Sequence, residues 1–360
     1  MKQVLTVTGI RPDFIRMSEI FKKLDSCRNI CHILVHSGQH YDKMLSDIFF
    51  DNLSIRKPDY NLSIGNDKID HITLSSSVAK SLLEFIRDER LHPDVILFLG
   101  DSNTVLSAPF LKKEGLRIGH IEAGMRSYDM RMLEEINRKV CDHVSDILFT
   151  YHQDYKEILL KEGIDKDIHV VGNTIVEPCS IYSKQFVEKP SFERHIVLDI
   201  HRPENFKSAV RLANIFDFAR ECGNRYDLPV KMIDFKRALF YLDEFGIDTG
   251  GVEHLDVMSY TDYLEFQYNA YCIISDSGTA QEEPALLKVP VIVPRDYTER
   301  PQSMENNCSV LVNVNSRNDS WTEAFTWLDY IKYDKNKINS SWLGDGTASK
   351  QIVDTLKTWL

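Results

Sequence analysis

Two carboxylates stand directly after apolar runs. Asp101 follows the run 95–99 through Gly100, and Glu122 follows the run 117–121. Adjacent strands of a parallel sheet lie about 4.8 Å apart, so acids at two such strand ends can converge on one patch; either acid could instead cap the helix that follows it. Twelve residues after Glu122 comes Glu134, with Arg138 four residues further on. On a helix these two share a face, as a solvent salt bridge or as an acid beside an anion-binding arginine. Three carboxylates gathered near one arginine would have their pKa values pushed apart, which suits proton transfer at a carbon acid.

Other residues suit an anion. Gly9-Ile10-Arg11-Pro12-Asp13-Phe14-Ile15-Arg16 reads as a strand-to-helix turn carrying two arginines, either an anion-binding helix start or a turn with surface cations. It is not GxGxxG and lacks the P-loop lysine. His201 and Arg202 end the run 195–200. Ser275-Asp276-Ser277-Gly278-Thr279-Ala280-Gln281-Glu282-Glu283 ends another run in small and hydroxyl residues and then opens a helix. Backbone N–H and hydroxyl donors at such a start can cradle a diphosphate, with the acids one turn in accepting from ribose hydroxyls; the same letters also describe a capped helix. The loop 294–301 adds Arg295, Asp296, Glu299 and Arg300.

These residues must be positioned by strands. Short apolar runs at 2–8, 31–36, 95–99, 117–121, 146–150, 168–171, 195–200, 230–233, 271–275 and 289–294 alternate with helical periodicity, the pattern of an α/β fold with parallel sheets covered on both faces. Ten strands are too many for one ordinary doubly wound sheet, and 360 residues suit two domains. The polar stretch 181–194 reads as a join. We expect Rossmann-like domains at 1–175 and 176–348 facing a cleft, with an amphipathic C-terminal helix, 349–360, joining the first. In open α/β sheets ligands sit beyond the carboxyl ends of strands, which is where all these motifs fall.

Composition excludes other classes. A net charge of −11 with no basic tract argues against nucleic acid and anionic membrane surfaces as partners. No apolar run reaches the length of a secretory signal or a membrane span. Seven scattered cysteines without a CxxC pair read as reduced thiols, not as disulfides or a zinc site, so a cytoplasmic location is expected.

The ordered set of motifs is more specific than any member. Gly9–Asp13, Ser37-Gly38-Gln39-His40, Gly100–Thr104, His120–Ser127, Glu134–Arg138, Gly172–Thr174, His201–Asn205, Ser275–Glu283 and Arg295–Pro301 together resemble the non-hydrolysing UDP-N-acetylglucosamine 2-epimerases. The resemblance implies two Rossmann-like domains in the glycosyltransferase-B arrangement, a UDP-sugar substrate, no metal or redox cofactor, and a homodimer. It implies a reaction in which the C2 proton of a UDP-linked 2-acetamido sugar is removed, UDP is eliminated to give a glucal, and reprotonation on the other face with re-addition of UDP inverts C2. By position, Asp101, Glu122 and Glu134 resemble the three catalytic carboxylates. Arg11, Arg16 and His201 resemble the catalytic cations, and Arg138 a diphosphate ligand. Ser277, Gly278 and Thr279 would hold phosphate, Glu283 the ribose, and Phe266 would stack on uracil.

Departures from the pattern narrow the expectation. Arg16 stands for the usual lysine, Gly278-Thr279 for Gly-Gly, and the segment 127–132 is short, without the usual proline before Glu134. These traits look more like branches acting on capsule and O-antigen sugars, including UDP-N-acetyl-6-deoxy-L-hexosamines (UDP-L-RhaNAc to UDP-L-QuiNAc), than on the UDP-GlcNAc/UDP-ManNAc pair alone. Asp234-Phe235-Lys236 replaces a histidine of the family's second, allosteric UDP-sugar site, so that regulation is not expected despite Gln39, His40, Arg202 and Glu204. Asp199, where the family usually has Thr or Ser, puts an extra negative charge two residues before His201. The alternatives are a hydrolysing epimerase releasing UDP and free N-acetylmannosamine, and a glycosyltransferase of the same architecture.

Overall fold

The computed structural model describes residues 1–38, 47–64, 70–165, 167–187 and 194–360. Gln39, His40 and residues 188–193 of the polar join lie outside the described residues; its first part, 181–187, is the end of the helix Val176–Val187. The chain divides into two compact units, Met1–Pro178 with Leu343–Leu360, and Cys179–Trp342.

The first unit carries seven strands: β1 Lys2–Thr8, β2 Ile30–His36, β3 Tyr60–Asn61, β4 Val95–Leu99, β5 Ile118–Ile121, β6 Ile147–Thr150 and β7 Asp167–Val170. The second carries six: β8 His195–Asp199, β9 Val230–Ile233, β10 Val252–Leu255, β11 Ala270–Ser275, β12 Val291–Val293 and β13 Ser309–Leu311. The sheet orders are β3-β2-β1-β4-β5-β6-β7 and β10-β9-β8-β11-β12-β13. Every recorded strand pair is parallel.

Parallel strands must be covered on both sides, and the burial agrees. Leu5, Val7, Ile33, Val35, Ile96 and Phe98 form one cluster with Leu82, Phe85 and Ile86 of the helix His71–Asp88. Val4, Leu34 and Leu97, which alternate with them, are buried as well. In the second unit Ile196, Leu198, Met232, Cys272 and Ile274 pack with Leu212, Ile215, Phe216 and Phe218 of the helix Ala209–Tyr226.

β3, β10 and β13 are not anticipated by the apolar pattern. They are two to four residues long and lie at sheet edges; Tyr60, Asn61, Glu253 and His254 are exposed, so no apolar run marks β3 or β10, and β13 is a three-residue strand with Val310 and Leu311 only partly buried. The C-terminal helix, Ala348–Trp359, buries Ile352, Val353 and Leu356 and packs on the helix Arg11–Asp25. Its start is fixed by Ser349, whose backbone N–H and Oγ both donate to the Glu177 carboxylate.

Each sheet reverses its order once. The reversals fall between β1 and β4 and between β8 and β11, where the crossover helices leave to opposite sides and open a crevice beyond the strand ends. Gly9 and Asp101 follow the first pair of strands; His201 and Asp276 follow the second.

Candidate active site

In the first unit β4 and β5 are neighbours in register, Leu99 opposite Ile121. The chain leaves β4 through Gly100 at φ +71°, a left-handed turn that glycine makes without strain, and Asp101 follows. It leaves β5 through Glu122 itself, at φ +73°. A non-glycine residue held there costs about 1 kcal/mol or more, and such strain persists where surrounding contacts over-determine the residue, as at functional sites.

The contacts are those of a buried ion pair. Arg16 Nη1 lies 3.1 Å from Glu122 Oε2, with the two side chains 5% and 8% exposed, and also donates to Asn173 Oδ1 at 3.4 Å. Asp101 is held in parallel by Arg138 Nη2, while Asn137 Nδ2 donates to the Asp101 carbonyl at 2.8 Å. Each strand-end acid thus has its own buried arginine, one from the helix after β1 and one from the helix Glu134–Val144. Glu134, half-buried, opens the latter helix. Its neighbour Glu135 is fully buried; it accepts from the Ser127 N–H and Oγ at 2.9 Å and sits 3.7 Å from Arg138 Nη1, tying the short 127–132 segment to the helix. Arg11 opens the helix after β1, its guanidinium 5.2 Å from the Phe49 ring centre.

Two buried residues in this patch were not singled out from the sequence. Asp13 Oδ2 accepts the N–H groups of Gly9 and Ile10 at 2.7 and 3.1 Å, closing the turn after β1. Burial raises its pKa from 3.8 to about 7 against those hydrogen bonds, with Asp101 and Glu122 pushing the same way. The three carboxyls therefore share one electrostatic environment. His120, on β5, is fully buried between Asp142 Oδ1 and the Gly100 carbonyl, each 2.7 Å from a ring nitrogen. Burial opposes charge on this ring, yet Cys141 and Asp142 together hold it well above the ordinary histidine value. The cation then donates both N–H groups and links the end of β4 to the helix that carries Arg138; Asp142 also accepts the Gly124 N–H at 3.1 Å and pairs with Arg126 at 2.8 Å. Neither residue carries a sequence signal by itself: Asp13 reads as an ordinary first-turn acid of a helix, and the partners of His120 come from distant positions.

In the second unit Asp276, fully buried after β11, shapes the turn after β8. Its carboxylate accepts the N–H of His201 at 3.0 Å, the N–H of Arg202 at 3.1 Å and Asn205 Nδ2 at 2.9 Å. His201 Nδ1 lies 3.1 Å from Asp199 Oδ1 and 3.9 Å from Asp276 Oδ1, and about a third of its side chain is exposed (34%). Burial lowers the His201 pKa, Asp199 and Asp276 raise it, and the net is upward.

The helix expected to open at 276–283 is shorter than the sequence suggests. A single turn, Thr279–Gln281, is followed by a four-residue helix, Glu283–Leu286, with Pro284 inside it. Ser277 lies where β11 ends, its N–H donating to Ser275 Oγ at 3.1 Å. Glu282 turns inward to accept from Arg300 Nε at 2.6 Å, and Arg300 Nη1 donates to Glu299 at 2.6 Å. Gly278 sits against this cluster: a Cβ there would come 2.8 Å from Arg300 Cζ and 2.9 Å from Glu299 Oε1. Glu283 accepts from Gln267 at 3.3 Å, and Phe266 stacks on His195 with ring centres 4.2 Å apart. Among the described residues no group of three His, Cys, Asp or Glu is placed to hold a metal ion, and no helix is long and apolar enough to cross a membrane.

The chain matches the family model for UDP-N-acetylglucosamine 2-epimerase over residues 22–357. It is 32% identical to the UDP-N-acetylglucosamine 2-epimerase of Methanococcus maripaludis, covering 98% of both chains. It is 30% identical to the UDP-2,3-diacetamido-2,3-dideoxy-D-glucuronate 2-epimerase of Pseudomonas aeruginosa, over 98% of this chain and 99% of that one. The crystal structure of the Methanocaldococcus jannaschii UDP-GlcNAc 2-epimerase, in complex with UDP-GlcNAc and UDP, superposes with a TM-score of 0.87 at 33% identity, over 99% of this chain and all of that one. A plant UGT2 from Phytolacca americana shares the fold at 11% identity and a TM-score of 0.60.

Proposed function

The chain belongs to the UDP-N-acetylglucosamine 2-epimerase family, and from that premise we propose that it inverts C2 of a UDP-linked 2-acetamido sugar without net hydrolysis. The observation that carries this reading is the pair Asp101 and Glu122 at neighbouring strand ends, each held by a buried arginine.

The C2–H bond is not next to a carbonyl, so a carboxylate alone is too weak a base for it. Departure of UDP from C1 leaves that carbon electron-poor and makes the C2 proton removable. In the forward half-reaction the C1–O bond breaks with its electron pair going to the β-phosphate oxygen, a carboxylate takes the C2 proton, and the C1–C2 double bond forms. In the return half-reaction a proton is delivered to the opposite face of C2 and the phosphate oxygen re-adds at C1. Asp101, Glu122 and Glu134 supply the proton acceptor and donor, positioned acid and base groups contributing typically 10²–10⁴-fold each. Arg11, Arg16 and Arg138 set the charge of that patch. His201 stabilises the departing diphosphate, Ser277, Gly278 and Thr279 hold its phosphates, Glu283 the ribose and Phe266 the uracil.

The sugar is UDP-GlcNAc with its manno epimer, or a UDP-N-acetyl-6-deoxy-L-hexosamine. The short 127–132 segment anchored by Glu135 supports a reshaped sugar pocket. We place the protein as a homodimer in the cytoplasm, in polysaccharide precursor synthesis, without metal or redox cofactor. Purified protein in D2O should equilibrate C2 epimers while taking up one deuteron at C2. Stoichiometric release of free UDP would instead mark a hydrolysing epimerase, and sugar transfer to an acceptor with no C2 exchange in its absence would mark a glycosyltransferase.

A further inference from the structure

The negative charge just before His201 has a specific partner. Asp199 ends β8 and His201 follows two residues later, so the alternation of an extended chain turns both side chains to one side. Asp199 is buried; its Oδ1 meets His201 Nδ1 at 3.1 Å, and its Oδ2 accepts from Ser275 Oγ at 2.8 Å and Tyr263 Oη at 3.4 Å. Three neighbours from three elements thus fix this carboxylate. It is also ionised: burial would raise its pKa, but His201 and the hydroxyl donors hold it below the ordinary value.

We propose that Asp199 is a positioning residue of the leaving-group site: it locks the His201 ring through Nδ1–H and supplies the counter-charge under which Nε2–H meets the departing diphosphate as a cation. This rests on the epimerase reading for the identity of the leaving group. The charged and titratable groups facing the ring are Asp199 from β8, Asp276 from the end of β11 and Arg202 beside it, while Phe235 packs edge-on at 5.3 Å. Asp276 is already committed to the N–H groups of His201 and Arg202, which leaves Asp199 as the ring's direct acceptor. With Nδ1 given to Asp199, Nε2–H is the donor left for a ligand on this partly exposed ring. A cation there makes UDP a better leaving group and takes no proton away, so the step needs no further reactant.

The test follows the His201 resonances by ¹⁵N-histidine NMR in the whole protein, assigned by their loss in His201→Gln, with Asp199→Asn and Asp199→Ser as variants. The His201 titration midpoint should fall by about one pH unit or more in both, the range for losing an adjacent opposite charge. The alkaline limb of kcat should shift down with it, KM on the acidic side should stay near wild type, and UDP affinity should weaken at lower pH than in wild type. A His201 midpoint unmoved in the folded variants, or a loss of kcat equal at every pH, would overturn the proposal. If Asp199→Asn does not fold, Asp199→Ser decides alone. Wild-type protein without C2 exchange would overturn the epimerase reading, and the titration with UDP binding would still decide the dyad.

Discussion

Glu122→Gln probes the ion pair and the chemistry at once. With 3.1 Å between Arg16 Nη1 and Glu122 Oε2, the Coulomb attraction at an effective dielectric of 20 is about 5 kcal/mol. Removing one partner of a buried pair typically costs about 3–5 kcal/mol, because the other charge is left uncompensated. The amide still accepts a hydrogen bond from Arg16, worth about 1 kcal/mol, so the expected loss is about 2–4 kcal/mol in the first unit. The left-handed backbone at residue 122 is as strained for Gln as for Glu and drops out of the difference. Arg16→Met alone should cost at least as much, since it leaves Glu122 near Asp13 and Asp101 without its cation. The double variant leaves no lone charge and should fall short of the sum by about 2–3 kcal/mol. Native-state hydrogen exchange at β1, β4 and β5 reads the first unit separately from the second. In the same samples Glu122→Gln should lose C2 exchange by about 10²–10⁴-fold and keep its affinity for UDP. Additive stabilities in the cycle would refute the ion-pair account, and exchange at the wild-type rate would remove Glu122 from the chemistry.

Other expectations follow from the same geometry. Asp13 is buried with a pKa raised from 3.8 to about 7, so the folded state binds this proton more tightly than the unfolded one; its contribution favours folding at low pH and fades as pH rises from about 4 through about 7. Asp13→Asn keeps an acceptor for Gly9 and Ile10 and should flatten that slope, gaining up to about 4 kcal/mol over wild type at pH 8, measured by urea titration across pH; an unchanged slope would show that Asp13 does not titrate there. Gly278→Ala should weaken UDP binding at least about tenfold in calorimetry, since its Cβ crowds Arg300 and Glu299, whereas unchanged affinity would mean that Gly278 is not part of the cradle. His120→Gln should slow C2 exchange through misplacement of Asp101 and Arg138 while leaving UDP affinity intact; wild-type turnover would show that the buried cation is not needed to hold the two strand ends together.

The sequence reveals strand ends well because parallel strands buried on both faces are continuous apolar runs, and the chemistry begins where those runs stop. Asp101, Glu122, His201 and Ser277 were legible for that reason. Edge strands such as Tyr60–Asn61 and Val252–Leu255 were not, being short and half exposed. Nor were Asp13, whose hydrogen bonds are local but whose raised pKa comes from burial and from Asp101 and Glu122 beside it, and His120, whose ring meets Asp142, 22 positions away on a helix, and the carbonyl of Gly100 just after the neighbouring strand. Asp199 is the instructive middle case. Its spacing of two from His201 at the end of an extended run was a readable sign that the two side chains share one side, but the hydroxyls of Tyr263 and Ser275 that steady it come from distant positions.

The most direct test of the account is ¹H NMR of the purified protein with UDP-GlcNAc and, separately, UDP-N-acetyl-L-rhamnosamine in D2O. With at least one of the two, a second C2 epimer should form carrying deuterium at C2, the UDP linkage of the sugar surviving the exchange. An epimer formed with its C2 proton retained would contradict proton abstraction by the carboxylates, and no exchange with either sugar would contradict the reading of the site.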